Sequence, residues 1–183
     1  MGRFIVLVDG ENLVFRAQDM VSAGKLLNPN AKHIPDVFLW HQNIAQVANW
    51  HCVRVTYYTS AVGADNQIVD LEQRISQVTF PKGGEGDSQI CPRVFKKDSK
   101  SKKVKLVDIS ITIDALRHSY NNHVQAILLV TGDGDYLPLI EEVMRTGTQV
   151  WLGAVSSGLN PGLARSVDRF LDLDKLFFVS EIK

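Results

Sequence analysis

Apolar residues follow two kinds of pattern along this chain. Phe4-Ile5-Val6-Leu7-Val8 and Ala126-Ile127-Leu128-Leu129-Val130 are unbroken apolar runs, as expected of strands buried on both faces of a parallel sheet. Elsewhere apolar positions recur at three- and four-residue spacing, the period of a helix with one buried face. Val37, Trp40, Ile44 and Val47 predict a helix over 36–50, and Ile68, Leu71, Ile75 and Val78 mark another. Ile109, Ile113 and Leu116 predict a third over 109–120. A helix over 136–145 should stop at Gly147. Asn160-Pro161 opens a last one, with proline in its first turn. Residues 52–58, rich in β-branched and aromatic side chains, and 148–155 predict further strands. Pro81 to Asp87 is glycine-rich loop, and 90–95 with 104–107 predict two strands flanking a lysine-rich turn, a hairpin at about 93–105. Strands separated by helices imply βαβ units, so the fold class is α/β, a mostly parallel central sheet with helices on both faces.

Composition narrows this little. A length of 183 residues fits a single domain over 1–183, and 45% hydrophobic with 22% charged residues is globular rather than disordered. No apolar run reaches the ~18–20 residues of a membrane span. The opening Met1 to Val8 is too short for a signal peptide, and Val6 stands where a myristoylation signal needs Ser or Thr. The two cysteines, Cys52 and Cys91, are too few for a disulfide scaffold or a Cys-rich zinc site and read as buried thiols in a cytoplasmic chain. Twenty Lys and Arg balance twenty Asp and Glu. A polyanionic partner would therefore have to be met by local charge.

The local chemistry is acidic and falls at one edge. In open parallel sheets, ligands bind beyond the carboxyl ends of the strands. Asp9-Gly10-Glu11-Asn12 follows the first apolar run, Thr131-Gly132-Asp133-Gly134-Asp135 follows the second, and Val107-Asp108 precedes a helix between them. Singly, Asp9-Gly10 and Asp133-Gly134 are ordinary turn dipeptides, and Asp108 and Asp135 could be helix N-caps. Together, four converging carboxylates would repel and raise one another's pKa. A divalent cation relieves that repulsion. Hard oxygen donors without nearby Cys or His select Mg²⁺ or Mn²⁺, and such an ion suits hydrolysis of a phosphodiester.

These motifs resemble those of the NYN domains, the LabA-like branch of the PIN-like nuclease superfamily. Asp9-Gly10-Glu11-Asn12 is similar to the opening D-G-x-N motif. Lys105-Leu106-Val107-Asp108 with Ile113-Asp114-Ala115-Leu116 is similar to the central K-x-V-D…D-A-L motif, and Thr131 to Tyr136 to the S/T-G-D-x-D-[FY] motif. Leu106 departs from the family's frequent Gly, and Glu11 occupies a variable position. The resemblance implies a three-layer αβα sandwich and a metal-dependent ribonuclease. It implies Asp9, Asp108, Asp133 and Asp135 as the metal-binding acids, with Asn12 orienting a ligand or water in the same catalytic group and Thr131 bonding a carboxylate or phosphate. Asp114 lies six residues beyond Asp108, ~240° around a helix, so its expected role is behind the metal ligands or in a salt bridge.

Charge on the substrate side is concentrated between residues 93 and 105, where Arg93, Lys96, Lys97, Lys100, Lys102, Lys103 and Lys105 face a single Asp98. These lysines suit phosphate contact more than base reading. They are equally the composition of a solvated hairpin tip. The loop after Pro81 lacks Gly-Lys-Ser/Thr and is no nucleotide P-loop. The five histidines show no metal-ligand spacing, and Trp40, Trp50 and Trp151 read as packing. Tyr136 reads as packing at a helix start, with base stacking as the alternative. The leading function is RNA hydrolysis by an endoribonuclease. The alternatives are a non-catalytic RNA- or protein-binding module on the same fold, and a phosphatase or DNA-directed nuclease. A homodimer through a sheet edge or the last helix is left open.

Overall fold

In the computed structural model, which describes residues 1–83, 86–98 and 105–179, the first apolar run becomes an inner strand of a six-stranded sheet. β1 (Gly2–Asp9) runs into α1 (Gly10–Ser22). An antiparallel ribbon of β2 (Lys32–Ile34) and β3 (Phe38–Trp40) follows, then β4 (Trp50–Ala61) and α2 (Asp65–Ser76). A second ribbon, β5 (Thr79–Pro81) and β6 (Asp87–Gln89), leads to β7 (Cys91–Lys96). The remainder is α3 (Lys105–Tyr120), β8 (Ala126–Val130), α4 (Leu137–Arg145), β9 (Gln149–Ala154), α5 (Pro161–Arg165), β10 (Arg169–Asp172) and α6 (Asp174–Phe177).

The sheet order is β10-β9-β8-β1-β4-β7, and each neighbouring pair is parallel. The chain builds outward from β1 through β4 to β7. It then returns through α3 to the other side of β1 and builds outward again through β8, β9 and β10. The order therefore reverses at β1, and such a reversal leaves a crevice at the carboxyl ends of the strands. It also divides the helices. Phe4, Val6 and Val8 of β1 pack into one core with Leu13, Val14 and Ala17 of α1, Ile75 of α2 and Phe38 to Trp40. Ile5 and Leu7 pack into the other with Val107, Ile111 and Ala115 of α3, Ile140 and Val143 of α4 and Leu163 of α5. The alternation of β1 thus feeds two cores, and the architecture is the expected α/β sandwich.

Three local expectations are corrected. The helix over 36–50 does not form. Phe38, Leu39, Trp40 and His41 are buried in succession, which a one-sided helix cannot achieve, and the Leu39 N–H is taken up by the Tyr57 hydroxyl at 3.0 Å. Asp36 and Asn49 adopt left-handed backbone at φ 62 and 64 and break the segment at both ends. The strand expected over 104–107 is helical from Lys105, because Val107, Ile111 and Ala115 form the buried stripe of α3. Hence β7 has β4 as its parallel neighbour rather than a hairpin partner. Cys52 is buried, its thiol pushed up to about 12 by burial, but Cys91 is exposed at the start of edge strand β7. Among the described residues no helix is long and apolar enough to cross a membrane.

α1 leaves β1 so sharply that a Cβ on Gly10 would sit 2.3 Å from the Tyr57 ring and 2.7 Å from the Tyr58 carbonyl. Gly10→Ala is expected to lower stability by ~1–3 kcal/mol through overpacking, seen as a lower urea midpoint at unchanged slope.

Candidate active site

Asp9 ends β1 and is 2% exposed. It caps α1: its Oδ1 accepts the Asn12 N–H at 3.1 Å, while its Oδ2 accepts the Thr131 hydroxyl at 3.1 Å. Thr131 follows β8, and its hydroxyl oxygen also accepts the Asp133 N–H at 3.2 Å. Asn12 reaches the same loop, its Oδ1 accepting the Gly132 N–H at 2.8 Å. The first and third acidic motifs are therefore stitched together across the adjacent ends of β1 and β8. The Asn12 NH₂ group, without a protein partner among the described residues, remains a donor at this edge.

Asp133 in turn accepts the Asp135 N–H at 3.0 Å and caps a short 3-10 turn over Gly134–Tyr136. The cap residues are thus Asp9 and Asp133, not Asp108 and Asp135. A Cβ on Gly134 would meet the Asn160 side chain at 2.4 Å, so the turn packs closely against the loop that starts α5. The turn drives Tyr136 inward to 3% exposure, where its hydroxyl donates to Asp108 Oδ1 at 3.0 Å. Burial first, and then the charges of Asp9, Asp108 and Asp133, hold this phenol far above its ordinary pKa. Asp135 is exposed and lines with Asp108 a cavity of about 320 Å³ between α3 and α4. Among the described residues the Asp135 carboxylate has no hydrogen-bond or ionic partner.

The sequence alone leaves Glu11 unassigned and reads Tyr136 as packing. In the structure Glu11 accepts the Ser60 hydroxyl and pairs with Lys97 at 3.4 Å, the two side chains 13% and 21% exposed. The signal for it is positional, since Ser60 lies near the carboxyl end of β4, which pairs with β1. Lys96 pairs with Asp65 at 2.7 Å, and Lys105 is exposed at the start of α3. Lys100, Lys102 and Lys103 lie outside the described residues. Asp114 accepts the Tyr58 hydroxyl at 2.6 Å and pairs with Arg117 at 2.9 Å and Arg93 at 3.8 Å.

A family model described as NYN domain matches residues 3–174. The chain belongs to the NYN domain family. NYN domains have a PIN-like nuclease fold, are generally nucleases and generally use divalent metals. VPA0982 of Vibrio parahaemolyticus, a protein of unknown function with a crystal structure, is similar over 97% of this chain and 96% of that one. The TM-score is 0.63 at 20% identity, a likeness of fold. No curated protein matches the chain.

The donor set of this NYN domain is oxygen throughout, which suits a hard cation. Among the described residues no three His, Cys, Asp or Glu side chains close around one point as a ready-made metal shell. Mg²⁺ does not require that, since it is commonly held by one or two carboxylates with water and substrate phosphate completing its octahedron. The residues present fit such an ion.

All four tyrosines are held above their ordinary pKa: Tyr57, Tyr58 and Tyr136 chiefly by burial, Tyr120 chiefly by donating to Glu142. An unfolded chain loses these protons near pH ~10, whereas the folded one keeps those of the buried Tyr57, Tyr58 and Tyr136. The associated stability is therefore complete below that pH and falls as pH rises above it. Phenolate absorbance at 295 nm from the three buried tyrosines, beyond that of exposed Tyr120, is expected to appear together with loss of far-UV ellipticity. A normal tyrosine titration at intact ellipticity would contradict the burial of Tyr136.

Proposed function

We propose that this chain is a single NYN domain over 1–183, of the LabA-like branch, acting in the cytoplasm as an Mg²⁺- or Mn²⁺-dependent endoribonuclease. The observation that carries the reading is the run of hydrogen bonds from Asp9 through Thr131 to the Asp133 backbone, with Tyr136 of the same turn donating to Asp108, at the reversal point of a parallel sheet. The same carboxylates, with Asp135, are the groups that would hold the ion. Its chemistry there is charge neutralisation at the scissile phosphate and a lower pKa for water.

The chain's own groups have separable tasks. Asp9 is fixed by Asn12 and Thr131, Asp108 by Tyr136, and Asp133 by the Asp135 N–H. Pre-set positions of this kind avoid reorganisation at the moment of reaction. Asp135 has an unengaged carboxylate and takes the proton from water as water adds to phosphorus, the ester P–O bond breaks and the departing sugar oxygen takes a proton from solvent. The free NH₂ of Asn12 donates to a phosphate oxygen. Thr131 acts through Asp9 and Asp133 as a positioning residue. Lys96, Lys97 and Lys105, with Lys100, Lys102 and Lys103, supply positive charge for the RNA backbone.

Labelled single-stranded RNA and matching DNA, incubated with Mn²⁺, Mg²⁺ or EDTA, test this directly. RNA cleavage is expected only with metal. Asp135→Asn should slow it by about 100-fold or more, the loss of a general base, and Thr131→Ala by about 10–100-fold. Absence of cleavage, with RNA bound equally by wild type and Asp133→Asn, would instead make the domain a binding module.

A further inference from the structure

The path of the chain leaves an open groove at the β4–β7 end of one sheet face. α3 packs over β1 and β4 on its return from β7 to β8. Beside it, the outward face of β4 and β7 forms the floor of an open groove of about 890 Å³. Arg3 of β1, Arg54 and Thr56 of β4 and Arg93 and Phe95 of β7 line the floor, and Asp114 and Arg117 of α3 line the wall. Four arginines enter this groove against two carboxylates, Glu72 and Asp114, in a chain of zero net charge. Asp114 engages Arg93 and Arg117, and Glu72 accepts the Val94 N–H. Among the described residues no carboxylate pairs with Arg3 or Arg54, and both are exposed.

We infer that this groove holds the single-stranded RNA substrate by its phosphates and leads it to the carboxylates at the strand ends. The inference rests on the nuclease reading for the identity of the strand, and on charge and the shared strands for its place. His118 also stands on the groove wall. Its imidazole is held below its ordinary pKa by burial and then by His123, Arg54 and Arg117, with Asp114 opposing. Such a field attracts and retains a polyanion. The groove lies along the same strands that end in the acidic edge. Arg3 and Arg54 lie toward the amino ends of β1 and β4, while Tyr58 and Ser60 lie toward the carboxyl end of β4. There Asp114 accepts from Tyr58, and Glu11 joins Ser60 and Lys97. From Arg3 to Asp9 the strand rises ~20 Å at ~3.3 Å per residue. A recess of this kind follows a single strand, with half-buried Phe95 offering a ring on which a base can stack.

The chain carries its own reporter. Cys91 is exposed and lines the groove, whereas Cys52 is buried with its thiol pushed up to about 12. A maleimide therefore reports on Cys91. With EDTA present to prevent cleavage, a saturating single-stranded RNA oligonucleotide is expected to slow Cys91 labelling severalfold, and added salt to restore it. Reversal of two floor charges, Arg3→Glu with Arg54→Glu, should abolish the protection. It should also flatten the slope of log affinity against log salt by ~1.4, at ~0.7 for each phosphate no longer neutralised. Unchanged Cys91 labelling under saturating RNA would overturn the inference, as would wild-type affinity and slope in the double variant. Labelling that slows with protein concentration, without RNA, would assign the groove to a second copy and also overturn it. Should the double variant not fold, as judged by ellipticity, protection of wild-type Cys91 decides alone. The two readings fail separately. Metal-dependent cleavage without protection removes the groove only, and protection without cleavage removes the nuclease only.

Discussion

The carboxylate of Asp9 is the interaction on which the carboxyl edge depends. A carboxyl group this deeply buried is stable only when its oxygens are hydrogen-bonded, and here one oxygen receives the start of α1 and the other the loop after β8. The same group that ends the inner strand thereby sets where the next helix begins and where a loop from the other half of the chain must come to rest. From that loop the order propagates. Thr131 fixes the Asp133 backbone, Asp133 caps the turn, and the turn presents Tyr136 to Asp108. Three motifs far apart in sequence are joined by short, directional contacts, each the ordinary chemistry of a cap or a hydroxyl.

α3 has two tasks because it returns over the sheet. Its first turn delivers Asp108 to the edge, and its later turns wall the groove with Asp114 and Arg117. Six residues separate the two acids, ~240° of rotation, so they face different partners. Asp114 interacts with arginines and a tyrosine, and Asp108 accepts from the Tyr136 phenol. A return crossover can cover only part of the face it crosses, so β7 stays bare on that side while the other face is filled by α1, α2 and the β2–β3 ribbon.

The apolar runs that became β1 and β8 were legible in the sequence because strands buried on both faces admit no polar residue. So were the three acidic motifs and their common edge, since strand ends and turn residues are local signals. The segment from 36 to 50 misled because Val37, Trp40, Ile44 and Val47 do have helical spacing. What defeats the helix is the succession of buried side chains from Phe38 to His41 and the left-handed Asp36 and Asn49. α1 was masked by its own start, because Asp9-Gly10 reads as a turn until Asp9 is seen to cap a helix. The contact between Glu11 and Lys97 spans 86 residues. The arginines of the groove stand singly in sequence, and only the strand register makes them neighbours.

The position of β1 also bears on the order in which the molecule can be made. It is the first strand of the sheet to be synthesised, yet one of its edges is paired by β8, and Asp9 must await Thr131, 122 residues later. At ~5–20 residues per second of translation, that interval is about 6–25 s. Through it the most apolar strand of the first half of the chain keeps a bare edge, the kind of surface that pairs with other chains. The nascent chain is therefore a natural client for chaperone holding. The carboxylate cluster assembles only once β8 and the loop behind it have emerged, so no ribosome-bound fragment lacking β8 carries it.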